Sequence, residues 1–107
     1  MAQKRLYSLL DKAIGTYMNP LVFTTDGEAI RWFTAIVNNN QEGNAIYHHP
    51  EDYSLWFLGT LDDTSGELQH QVHRLIDGLA VKEQEKQYTL REIWDSFEKH
   101  QQAKRLN

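Results

Sequence analysis

The first apolar positions of the 107-residue chain alternate. In "RLYSLLD" (5–11), Leu6 and Leu10 fall on one side and Tyr7 and Leu9 on the other, the two-residue period of a strand. Gly15, Asn19 and Pro20 punctuate the chain, and "PLVFTT" (20–25) offers a second short strand, with Pro20 tolerated at its first position. The period then changes. Ala29, Ile30, Phe33, Ile36 and Val37 recur at helical spacing, and Thr25 with Glu28 has the spacing of a capping box, which predicts a helix over 26–38. Asn38, Asn39, Asn40 and Gly43 end it, because Asn and Gly tolerate the left-handed conformation. A polar loop is expected over 41–52.

Alternation returns in "YSLWFLGTL" (53–61), with Tyr53, Leu55, Phe57 and Leu61 on one face and Ser54, Trp56, Leu58 and Thr60 on the other. Aromatic residues on both faces imply a central or covered strand. "DDTSG" (62–66) reads as a turn and "ELQHQVHRLI" (67–76) as the returning strand. Asp77–Gly78 is another turn signal, "LAV" (79–81) a further short strand, and "KEQEKQ" (82–87) a polar joint. Beyond it, Thr89 and Glu92 repeat the capping-box spacing. Leu90, Ile93, Trp94 and Phe97 form an apolar stripe, with Lys99, Lys104 and Arg105 placed to complement a helix dipole. A C-terminal helix is expected over 89–103.

These elements define an α+β fold: one domain over 1–107, with a small antiparallel sheet of four to five strands, one packed helix and a C-terminal helix. The length supports one core. At 40% hydrophobic and 24% charged the composition is that of a globular chain. No apolar run approaches the roughly 20 residues of a membrane span, so no membrane partner is expected, and the N-terminus reads as mature chain rather than signal peptide. The absence of cysteine excludes disulfides and zinc–thiolate sites. A net charge of −4 argues against tight clamping of duplex DNA, which needs many cations on phosphates.

Candidate chemistry is sparse. Glu51, Asp52, Asp62 and Asp63 suggest carboxylate pairs, but Asp62 and Asp63 adjoin at a turn, lack the spacing of a calcium loop, and read as turn formers. His70 and His73, three apart on a strand, face opposite ways, and with His48, His49 and His100 show no ligand grammar. No nucleophile elbow or phosphate-binding glycine loop is present. No catalytic residue, metal or cofactor is therefore expected, and the chain reads as a non-enzyme. Aromatic and basic residues leave one other possibility, stacking of single-stranded nucleic acid. Its candidates are Arg5, Arg31 and Arg74 for phosphate and Trp32 and Trp56 for bases. Two readings stand for each: the arginines equally suit surface ion pairs, and both tryptophans suit the core.

Two stretches are distinctive as text. "TDGEAIRWFTAIVNN" followed by "HPEDYSLWFLGTLDDTSGEL", preceded by Leu6-Tyr7-Ser8, resembles the small nonstructural protein of gokushovirus-type Microviridae, single-stranded-DNA bacteriophages. The motif positions are Gly27 to Phe33 and His49 to Gly66, and the resemblance covers about residues 5–70. It implies a counterpart of the microvirus C protein: a viral accessory protein acting in the host bacterial cytoplasm with the replication complex, as duplex synthesis gives way to single-stranded genome synthesis and packaging into procapsids. It carries over no catalytic residue. The expected partners are single-stranded viral DNA or, alternatively, the viral replication initiator or procapsid proteins without DNA contact. A homodimer through the C-terminal apolar stripe is also expected.

Overall fold

A computed structural model describes residues 3–83. The C-terminal helix expected over 89–103 lies outside them. Strands β1 (Gln3–Asp11), β2 (Thr16–Tyr17), β3 (Leu21–Phe23), β4 (Tyr53–Asp62) and β5 (Leu68–Asp77) form one antiparallel sheet. Helix α1 spans Asp26–Val37, and two single helical turns, α2 (Ala45–His48) and α3 (Gly78–Val81), complete the described chain. β4 is central, between β1 and β5, while β2 and β3 share the other edge of β1. The α+β reading is thus what the chain adopts.

The core lies on one side of the sheet. Tyr7 and Leu9 of β1 and Tyr53, Leu55 and Phe57 of β4 pack against Ala29, Phe33 and Val37 of α1, all buried. Helix α1 starts where its cap requires: the Thr25 side chain accepts the Glu28 N–H at 3.1 Å. The Glu28 carboxylate reaches back one residue further than a standard capping box, to the Thr24 N–H at 3.2 Å. At the other end Asn38 takes over. Its Nδ2 donates to the Thr34 and Val81 carbonyls, and its Oδ1 accepts the Glu83 N–H at 2.7 Å. Lys82 adds donation to the Val37 and Tyr47 carbonyls. One residue therefore closes the helix and pins the end of the described chain to it.

Three expectations need correction. The polar loop over 41–52 contains α2 and a 3₁₀ turn at Pro50–Asp52. Asn44 caps α2 by accepting the Ile46 and Tyr47 N–H groups, and Pro50 stands at the first position of the 3₁₀ turn, where its missing N–H costs nothing. "LAV" (79–81) is helical, not a strand, because Asp77 already pairs with Ser54, one residue from the start of β4, leaving no ladder beyond it. The alternation of β4 also breaks. Tyr7 opposes Phe57 but Leu6 opposes Gly59, so Leu58 is an extra residue and the facing reverses after it. Thr60 falls opposite Arg5 and Leu61 opposite Lys4, so Leu61 leaves the core face that strict alternation assigns to it. Gly59 permits the bulge, with φ of +147° and its α-carbon close against the Gln69 carbonyl.

Candidate nucleic-acid interface

No described helix covers the sheet face opposite α1. β1 turns Leu6, Ser8 and Leu10 toward it, and the pairing places the neighbours: Val22 opposite Leu6, Tyr17 opposite Leu10, Trp56 opposite Ser8, and Arg74 opposite Trp56. Val22 and Tyr17 are about half exposed, at 54% and 45%, large side chains over which no described helix lies.

Ser8 and Trp56 both find hydrogen-bond partners at this surface. Ser8, fully buried, donates its hydroxyl to the Met18 carbonyl at 2.7 Å, and so draws the 16–18 segment down onto the sheet. Trp56 Nε1 donates to Ser54 Oγ at 2.8 Å. Ser54 sits two residues earlier on the same face, so this bond lays the indole along β4 rather than into the core. Tyr17 meets it edge-on, with ring centroids 5.8 Å apart. Cations border the aromatic pair. Lys4 is exposed opposite Leu61 at one end. At the other, Arg74 and Lys12 share one carboxylate, Asp77, at 3.0 and 3.6 Å. Asp77 thus holds both cations beside the rings.

The five residues singled out in the sequence divide between the two sides of the sheet. Trp56 and Arg74 come together on the open face, in register. Trp32 and Arg5 lie on the α1 side. Trp32 is half-buried against Phe23, ring centroids 5.6 Å apart, and packs on the core. Arg5 is engaged: Nη2 donates to Asp26 at 2.7 Å, Nε donates to the Tyr7 hydroxyl at 2.8 Å, and the guanidinium lies 4.3 Å from the Phe57 ring centroid. Arg31 is exposed on α1, away from the Trp56 surface. Tyr17 and Val22 were missed. Their short strands carry too few residues to show a period, and only the pairing with β1 reveals their facing.

The Arg5 cluster is a structural lock. The Tyr7 hydroxyl donates to Asp26 at 2.6 Å, and chiefly through this bond, with Arg5 adding to it against the opposing effect of burial, the Asp26 carboxyl is held below the usual aspartate range. Burial, and then the carboxylate it donates to, push the Tyr7 hydroxyl up. Asp62, a turn former as expected, accepts the Thr64 and Ser65 N–H groups, which lowers its pKa. One group of potential metal ligands is also drawn together: His49, Glu51 and Asp52 bring ligand atoms within 4.8 Å of one another. It follows from the 3₁₀ turn that Pro50 begins, and its His49–Glu51 contact of 3.5 Å is an exposed one.

Helices on one face of an antiparallel sheet, and an aromatic, cation-bordered surface on the other, define a small α+β protein with one sheet face that no described helix covers. The chain belongs to the Phage ORF5 protein family, whose pattern it follows over residues 4–81. It is therefore a bacteriophage protein, and the shared region extends past the 5–70 span legible in the motifs. Protein ORF5 of Chlamydia phage 1 is 29% identical over 62 residues, an alignment that covers 56% of this chain and 65% of that protein. The chain thus spans a little under two thirds of that relative's length. No solved structure matches. Among the described residues no helix is long and apolar enough to cross a membrane.

Proposed function

We propose that this phage protein is a non-enzymatic accessory of viral DNA replication and genome packaging, the counterpart of the microvirus C protein, and that it holds single-stranded DNA across the open sheet face. Its place of action on this reading is the host bacterial cytoplasm. The observation that carries the reading is the Tyr17–Trp56 pair with Arg74 in register beside it. Bases stack on aromatic faces whatever their sequence, and flanking cations track the backbone. An acidic protein disfavours the many-phosphate clamp that duplex binding needs, whereas stacking depends less on charge.

The test is a titration of a short oligonucleotide at low salt, followed by tryptophan fluorescence and repeated with a matched duplex. Quenching by the single strand that weakens with salt and falls at least severalfold in Trp56→Ala, while Trp32→Phe leaves it intact, supports the reading. Absence of both quenching and a mobility shift at micromolar protein overturns it.

A second reading, an adaptor that binds the replication initiator or procapsid without touching DNA, is favoured by β5. Its outer edge is unpaired among the described residues, and positions 68–74 are exposed. Such an edge accepts a strand from a partner through main-chain hydrogen bonds. Capture of either phage protein by a chain that does not bind DNA decides for the adaptor.

A further inference from the structure

The β1–β3 ladder stops short of the start of β1. Its last pair is Arg5 with Phe23; β3 then turns away at Thr24 to enter α1, while Gln3 and Lys4 continue β1. The two segments diverge, and the gap between them is a cleft of about 290 Å³. It is lined by Gln3 and Lys4 of β1, Val22 and Phe23 of β3, and Thr24 and Glu28 at the entry of α1. We propose that this cleft takes one guanine base of a single strand held on the open sheet face, and so gives the protein a base preference at one position. The inference rests on the DNA reading above and adds to it the base that is read and the place where it is read.

Size and lining both point to a base. The cleft stands at the small end of ligand sites, which begin near 300 Å³. Val22, 54% exposed, and the half-buried Phe23 offer apolar surface to a planar ring. Phe23 is held in place, its ring 5.8 Å from that of Tyr7 and 5.6 Å from that of Trp32. The polar groups carry both signs. Lys4 is exposed and pairs with no carboxylate among the described residues, so its ammonium keeps its donors for a ligand. Glu28 Oε2 accepts the Thr24 N–H at 3.2 Å, which steadies the carboxylate at the cleft and leaves it further lone pairs.

Guanine matches this set better than the other bases. Its N1–H and its amino group form a two-donor edge for a carboxylate. Its O6 and N7 form a two-acceptor edge, a usual place for a lysine. Thymine has one donor, N3–H, and no amino group. Adenine and cytosine each have one amino group, and the ring nitrogen beside it would turn a lone pair toward the Glu28 carboxylate.

The cleft also lies on the path of the strand. Lys4 shares the face of β1 that carries Leu6, Ser8 and Leu10, and Val22 stands opposite Leu6, so both lead from the open face to the cleft. From Lys4 to Ser8, which Trp56 opposes, is about 13 Å along β1. A strand stacked on Trp56 therefore meets the cleft within a few nucleotides.

The experiment compares a short thymidine oligonucleotide with strands that carry a single central guanine, adenine or cytosine, by mobility shift and tryptophan fluorescence at low salt. The guanine strand should bind roughly tenfold tighter than the other three, the discrimination that one good base contact supplies. Lys4→Ala, at an exposed position, and Glu28→Gln, whose amide oxygen still accepts the Thr24 N–H, should each bring the four strands close to one affinity while circular dichroism stays that of the parent. Equal affinity of the parent for all four strands would overturn the base pocket and leave the DNA reading standing. A guanine preference that both variants keep would overturn the cleft as its place. If no strand binds, the DNA reading fails, and deoxyguanosine monophosphate is titrated alone. Amide resonances of Thr24 and Glu28 that shift with it, and cease to in Lys4→Ala, would make the cleft a site for the free nucleotide and overturn its place on a strand; unmoved resonances would overturn the pocket altogether.

Discussion

The Tyr7 hydroxyl and the Asp26 carboxylate, 2.6 Å apart, join the middle of β1 to the first turn of α1. Asp26 is held below its ordinary pKa chiefly by this bond, so the unfolded chain binds the proton first. Its stabilisation is present above the ordinary aspartate range and is lost as pH falls through the folded value. Urea midpoints taken downward from neutrality should decline through the carboxylate range, and Asp26→Asn should flatten that decline. An identical pH slope in the variant would show that the lock does not govern acid sensitivity. Tyr7, whose pKa is raised by burial, has the opposite sign: its contribution is complete below the ordinary tyrosine range and is lost as pH rises through it.

Thr25 satisfies one free N–H at the entry of α1. Thr25→Ala should cost about 1 kcal/mol, read as a lower urea midpoint at constant slope. Thr25→Ser should restore most of it, since the hydroxyl is the part in use.

Gly59 occupies a backbone conformation closed to L side chains, and a methyl group there would meet the Gln69 carbonyl oxygen. Gly59→Ala should destabilise by about 3 kcal/mol, near the upper end for a single substitution. Gly43→Ala, which also has a positive φ but open space around it, should cost clearly less. Equal losses would mean that backbone strain alone, and not the close strand approach, sets the cost.

Asn38 ties residues 81 and 83 to the end of α1 through three side-chain bonds, counting its bond to Thr34. Asn38→Ala should cost about 1–2 kcal/mol and should speed hydrogen exchange at the Glu83 amide. Unchanged exchange would show that Lys82 alone holds this segment.

Where one period persisted over several turns or pairs, the fold was legible from the residues. The stripe from Ala29 to Val37 located α1, and the alternation from Tyr53 to Phe57 located β4 and its buried face. The pattern failed where a single backbone event changes the meaning of every later position. Leu58 is an extra residue, so Leu61 and Thr60 exchanged sides, and no composition of side chains announces that shift. The short elements were illegible for a different reason. One helical turn at Ala45–His48 is built by Asn44 and bounded by Pro50, local chemistry that reads equally well as loop. Of the candidate interface, Trp56 and Arg74 could be nominated separately, but their register exists only once β4 has paired with β5, and Tyr17 joins them only once β1 lies between β2 and β4.

The outer edge of β1 is divided between a two-residue strand and a three-residue strand, with Pro20 between them. Neither piece presents a long row of free N–H and C=O groups, so the sheet is blunt on that side. Among the described residues only β5, ten residues long, remains able to extend it. A sheet with a single extendable edge can add one strand from outside and then stops. Two copies joined there would exhaust each other's edges across a two-fold axis, and no third could follow. Such asymmetry makes any edge-to-edge growth end at a closed pair rather than run on into fibres.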